Sequence, residues 1–569
     1  MEGIFSARRA IAWAIDGCDR SARRLGRSEF ALRVFVAGLL VFSGSARAAT
    51  STWNGTGGNV NWSTAGNWTG GAPANGADVI FAGTNNVGTS GTPLSQNIGN
   101  PLNLNSLTFS AGGGAFFLGG TNNLRFDSTL NTITQSSSSA ISIANDISAP
   151  STNSTVTLTL AGSGTGLITL SGVIASGNGA RDTAIVKSGS STYALTGTNT
   201  YSGGTTISGG TLQIGAQANL GATGGALTIN AGTLEVTTGF STTRATSLGN
   251  AASTIQVDPS QTYSVSGVIS GGGTLNKTGS GTLSLSGANT FNGGVALNAG
   301  TLALGSSGAI GSSGTISFGG GTLQYSASNT TDYSARFSTA ASQAYSIDTN
   351  AQNVTYATAL TSSSGTMTKA GTGSLTLTGT NTFSGATTIN GGTLKAAGSS
   401  GAALGSTSSI TVNSGGTLLL GASNQINDSA SINMAGGTFS KGNFSEGTAG
   451  GAGMGALTLT ANGSHIDFGA GTTGVLSFAS LNASTFTITI DNWTGVPNQA
   501  GSGSTDRLIF NADQSGNLGA FVFTGYGAGA VEIALGGGFW EVTAVPEPST
   551  WVVGLLMVGG LMFFHRRRI

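Results

Sequence analysis

Through the middle of the chain apolar residues alternate with Ser, Thr and Asn at every second position, as in Thr282-Leu-Ser-Leu-Ser286 and Gly225-Ala-Leu-Thr-Ile-Asn-Ala-Gly-Thr-Leu-Glu-Val236. A period of two puts Leu, Ile and Val on one side of an extended backbone and the hydroxyls on the other, which predicts short, half-buried strands. Gly-Gly, Asn-Ala-Gly and Ser-Gly-Gly break these runs and predict tight corners, where a backbone with φ > 0 is tolerated. A helical reading fails, because glycine and β-branched residues at this density penalise a helix at almost every turn.

The pattern repeats at two scales. The stretch from Lys187 through Asn199-Thr-Tyr-Ser-Gly-Gly to Leu212 recurs from Lys277 through Asn289-Thr-Phe-Asn-Gly-Gly to Leu302, and again from Lys369 through Asn381-Thr-Phe-Ser-Gly to Leu394. The Lys, Asn and Leu positions are each spaced by 90 and then 92 residues. Inside each unit runs a shorter beat, 22 residues from Leu212 to Leu234 and 21 from Leu302 to Leu323. A period near 21 is about one coil of a β-solenoid, so each long unit should enclose about four coils around an aliphatic column.

These units resemble the autotransporter-associated β-strand repeat, with Tyr201, Phe291 and Phe383 at its aromatic position. The resemblance implies an all-β chain folded as a right-handed parallel β-helix of passenger type. The ending differs from that of an autotransporter, since no run of barrel strands closes the sequence.

Composition narrows the class further. Charged residues make up 7% of the chain, against about 25% in an ordinary soluble protein. With 38% hydrophobic residues the low charge argues for burial rather than disorder. Glycine reaches 96 of 569 residues while proline stays at 8, which excludes collagen and Pro-rich linkers. The net charge of zero hides a segregation: residues 1–48 hold eight Arg and four acids, three Arg close the chain, and residues 49–565 keep 10 basic against 17 acidic groups, a balance of −7. A body so dilute and acidic excludes nucleic acid as a partner. The single cysteine, Cys18, lies near the N-terminus and leaves the body without thiol chemistry.

Both ends read as addresses. Arg-rich residues 1–33, the apolar run Val34 to Phe42 and the small residues Ala46 and Ala48 form a secretory signal, 1–48, cleaved by signal peptidase after Ala48. Nine apolar residues span only ~14 Å and are too short for a membrane helix. At the other end, 545–569, Pro546-Glu547-Pro548 precedes an apolar stretch from Trp551 to Phe564, a short hydrophobic helix, and then Arg566, Arg567 and Arg568. The arginines act as a membrane stop and stay cytoplasmic by the positive-inside rule. This ending resembles the PEP-CTERM sorting signal. That resemblance implies transient tethering in the inner membrane, recognition by an exosortase-type enzyme and delivery to the cell surface or matrix.

Two flanks differ from the repeats. Residues 49–100 carry Trp53, Trp62 and Trp68, which suit either a sugar-stacking platform or a hydrophobic cap over the first coil; the cap is favoured because an open solenoid end must be covered. Residues 455–544 should close the other end of the repeat region, 101–454. Catalytic chemistry is sparse. His465 is the one histidine between the two termini and is expected to hydrogen-bond structurally near Asp467. Asp506, Arg507 and Asp513 read as a loop ion pair, and the acids of the repeats, such as Glu235 and Asp348, are scattered. We therefore expect no enzyme activity, no catalytic or metal site and no cofactor. The expected role is structural or adhesive; the alternative is a β-helix protein that binds or degrades an extracellular polysaccharide.

Overall fold

The computed structural model describes residues 49–126, 130–148, 155–177, 182–249, 252–399, 401–448, 453–471 and 473–546. The described residues from Ser51 onward form one compact unit. It is an all-β parallel solenoid of about 17 coils, in which strands of two to eight residues pair with the strands one coil before and one coil after. The expected short C-terminal helix lies outside the described residues.

Each coil has three faces. In the first half, strands such as Thr183–Lys187 and Thr205–Ile207 stack on one face, and Thr192–Leu195 and Thr211–Ile214 stack on the next. The third face becomes a continuous sheet from Phe240–Thr242 onward and runs to Leu481–Asn482. Beyond Asn353–Tyr356 the first face re-forms as a sheet that reaches Phe521–Phe523. The strand registers pair like with like, Leu212 with Leu234 and Leu283 with Leu302. Inward Leu, Ile and Val therefore form an unbroken column, and Leu212, Leu302 and Leu394 are all fully buried. Parallel pairing begins at Ala77–Phe81 and continues to Phe521–Phe523.

The long repeat does not return to the same face. Lys187 lies on the first face, Lys277 on the second and Lys369 on the third. A unit of 90 residues therefore spans four coils plus one face, and each copy is turned by a third of a revolution relative to the one before. Coil length is uneven, 19 residues from Tyr193 to Leu212 but 25 from Ile432 to Leu457, because corners differ in length while strands keep their register.

The ends are closed differently. Trp53, Trp62 and Trp68 are buried and converge on Phe81, with ring centroids 6.0, 5.5 and 5.8 Å from it. Phe81 stacks in turn on Phe109 at 5.4 Å. The three indoles thus seal the aliphatic column. Burial removes the flat exposed faces that a sugar platform needs. Trp68 donates its ring N–H to the Trp62 carbonyl at 2.7 Å. At the C-terminal side Phe539–Ala544 runs antiparallel to both Arg507–Phe510 and Ala530–Gly536. This reversal ends the parallel stacking and covers the last coil.

Replacing Leu302 with Asp should lower stability by about 4 kcal/mol or more, since the carboxylate would sit unpaired between stacked coils. Chemical denaturation followed by circular dichroism checks this; an unchanged midpoint contradicts the inward placement.

Candidate functional site

Each repeat carries two buried polar side chains that join coils. Lys277 has no exposed surface, and its ammonium donates to the carbonyls of Thr278 and Gly279 at 2.8 Å each and of Ala299, one coil on, at 3.2 Å. Lys187 and Lys369 make the same three contacts, to Ser188, Gly189 and Gly209 and to Ala370, Gly371 and Gly391. The corner glycines Gly279 and Gly300 have φ of 65–69°, and a Cβ built on Gly300 would lie 2.7 Å from the Lys277 nitrogen. Glycine is thus required where the ammonium docks. Burial draws all three lysines down to about 8.

The asparagine works across three coils. Asn289 accepts the Ile269 N–H at 2.7 Å from the coil below and donates to the Ala309 carbonyl at 2.6 Å in the coil above. Asn199 and Asn381 repeat both bonds. Beside them Tyr201, Phe291 and Phe383 point into the core. Arg244 and Arg336 join coils in a related way. Each guanidinium gathers the carbonyls of a glycine-rich corner one coil below, Gly221, Ala222 and Gly225 for the first, Ile310, Gly311, Ser313 and Gly314 for the second.

The acidic groups are dispersed. Glu235 accepts from Gln213 and Gln256 at 3.0 and 2.9 Å, and Asp348 accepts from Gln324 at 2.8 Å. His465 does not pair with Asp467, whose carboxylate accepts from Ser440, Gly469 and Asn492; its ring nitrogen lies 2.7 Å from Asp491 on the next coil. The expected loop ion pair is also corrected. Asp506 is fully buried and pairs with buried Lys441 at 3.3 Å, while Arg507 turns the other way to Glu541 at 2.9 Å. Adjacent residues of an extended chain point to opposite sides, so the two cannot share a partner. Asp513 is fully exposed and caps its own turn through the Ser515 N–H. Among the described residues no group of three or more His, Cys, Asp or Glu is placed to hold a metal.

The sorting residues are only partly visible. Pro546 is exposed, just past the last strand. Ala46, Ala48, Glu547, Pro548, Arg566, Arg567 and Arg568 lie outside the described residues. Among those described, no helix is long and apolar enough to cross a membrane.

Residues 185–214, 275–304 and 367–396, each running from the lysine strand past the asparagine corner to the strand of the next coil, match the passenger-associated-transport-repeat family. The chain carries three passenger-type repeats. Over 110 residues, 19% of this chain, it is also 33% identical to the adhesin BmaC autotransporter of Brucella suis biovar 1 (strain 1330). That stretch spans 3% of the adhesin's length. No solved structure matches.

The buried lysines were marked in the sequence only by their spacing, yet four of the five in the chain, Lys187, Lys277, Lys369 and Lys441, are internal. Lys277→Met should cost about 3 kcal/mol by orphaning three carbonyls, whereas Lys395→Met on the surface should stay within about 0.5 kcal/mol. Acetylation of the native protein with peptide mapping should label Lys395 and spare the other four until denaturant is added.

Glu446 supplies a pH prediction. It is buried, accepts the Gln425 and Ile426 N–H groups, and is raised by burial from 4.5 to about 7. The folded protein then binds a proton that the unfolded chain has lost between pH 4.5 and 7, so this group's contribution falls as pH rises through that window. Glu446→Gln should flatten the slope and raise stability at pH 8 by about 2–3 kcal/mol, read from denaturation midpoints at pH 5 and 8.

Proposed function

We propose that the protein is an exported, surface-sorted solenoid that acts as a structural or adhesive element and performs no catalysis. The observation that carries this reading is the set of three passenger-type repeats, each clamped by an internal Lys and Asn that join neighbouring coils. The likeness to an autotransporter adhesin supports a place at the cell surface. Rigidity suits that place. A stack of ~17 coils at about 4.8 Å per coil reaches about 80 Å, long enough to carry a contact surface away from the membrane.

Delivery follows from the two ends. Cleavage after Ala48 would release the body outward, and Pro546 and Pro548 flank Glu547 with residues that lack a backbone N–H and disfavour helix, which would leave Glu547 open to a processing enzyme. Arg566, Arg567 and Arg568 resist crossing at ~2.5–3.5 kcal/mol each near the bilayer centre and so stop transfer. A strain lacking the protein should attach less well to surfaces. Glu547→Ala should leave an uncleaved, membrane-retained chain, while deletion of 566–568 should release uncleaved chain to the periplasm or medium. Fractionation with mass spectrometry of the mature termini reads both; wild-type processing of Glu547→Ala would reduce the sorting signal to a plain anchor.

A further inference from the structure

We infer that the third face of the solenoid is the ligand face and that it binds an uncharged polysaccharide; the inference deepens the surface-adhesive reading and rests on it. The outward positions of this face form a single rank in continuous register. It begins at Thr262, passes through Thr282, Thr301, Thr368 and Thr388, and ends at Asn482. Over these eleven coils every position in the rank is Thr, Ser or Asn. The adjoining outward rank of this face is mixed, with Ala303, Gln324, Asp348 and Ala370 in register, and the other faces carry mixed ranks as well. A Gln213, Glu235, Gln256 ladder occupies the second, and Lys395 and Asp467 stand in one rank of the re-formed first.

Most of the rank keeps its hydrogen-bonding capacity for a ligand. Thr322 and Ser346 pair at 2.9 Å, and Asn433 reaches Thr411 at 3.5 Å. Among the described residues, the hydroxyls of Thr282, Thr301, Thr368 and Thr388 bond to no protein group. They repeat at about 4.8 Å, close to the advance of one sugar ring along an extended glycan.

Charge selects the class of polymer. Four of five lysines are internal, so the amines that would recognise carboxylate, sulfate or phosphate groups are reduced to Lys395 on the surface, while the remaining exposed charge is largely acidic. The rank offers no aromatic or large aliphatic anchor of the kind a protein interface is built around. An uncharged, hydroxyl-rich chain is what remains. Single contacts of this kind are weak, and repetition along the rank multiplies them, so retention should climb with glycan length.

The test uses the full-length protein in affinity gels containing soluble mixed-linkage β-glucan, with alginate as the acidic polymer. Wild type should be retarded by β-glucan and not by alginate. Thr301→Glu with Thr368→Glu should weaken retention at least tenfold at an unchanged melting temperature, whereas Thr206→Glu with Thr228→Glu on the first face should leave it intact. If the glutamate pair does not fold, Thr301→Ala with Thr368→Ala should show the same loss. No retardation by β-glucan, retention by alginate instead, or equal loss in both double variants overturns the inference. Attachment assays on cells separate the two readings: if wild type and the third-face variant attach equally well, the face is wrong and the adhesive reading stands, and if wild type confers no attachment the adhesive reading falls.

Discussion

A three-faced coil turns backbone carbonyls toward a dry interior at its corners, and each needs a donor, since an orphaned buried carbonyl costs as much as a lost hydrogen bond. In this chain those donors are long cationic or amide side chains brought inside. Lys277 closes its own corner and the corner one coil on, Asn289 ties three coils, and Arg336 gathers a glycine-rich corner below it. The strands add the column of Leu, Ile and Val, but the corners decide whether successive coils can come into contact. An ammonium surrounded by carbonyls is a charge without a counterion. It remains inside because several partial negative charges replace its water, and burial still draws it down to about 8.

Such an array is stabilised mainly by contacts between neighbouring coils, so its ends are its weak points. The two closures use different physics. Three indoles around Phe81 fill the first coil with large rigid rings, whereas the last coil is covered by an antiparallel pair that ends the exposed parallel edge. The buried Lys441 and Asp506 pair joins this closing sheet to the coils beneath it. Breaking one partner would leave the other charged and dry, which makes the pair a device for fixing the position of the closure more than a source of net stability.

Much of this was legible in sequence. Alternation at Thr282 to Ser286 predicted inward leucines, the spacing of Lys187, Lys277 and Lys369 predicted one unit, and the three tryptophans predicted a cap. What escaped was set by geometry that spacing alone does not carry. Because coils vary in length, from 19 residues between Tyr193 and Leu212 to 27 between Ile141 and Ile168 and 33 between Ile488 and Phe521, a separation of 90 could not be divided into coils by inspection, and the extra face went unseen. Lysine is ordinarily a surface residue, so its interior role had no signal beyond periodicity. Asp506 and Arg507, adjacent in sequence, read as a pair although a strand sends them apart.

The turn of one face per unit has a consequence for the surface. Since each copy is rotated by a third of a revolution, no single motif position can make a rank that runs the length of one face. The rank on the third face is indeed composite: Thr301 comes from the strand after the glycine corner of the second copy, and Thr368 from the lysine strand of the third. Its continuity rests on the alternation common to all strands, which places a short polar group outward whatever the strand's role. Adding or losing one unit would rotate every face beyond it and join hydroxyl ranks of different origin, whereas three units make thirteen full coils and restore the original alignment. A surface built this way tolerates changes in length while keeping short polar groups along its outward ranks, and its only strict demands, the internal Lys, Asn and corner glycine, travel with the unit itself.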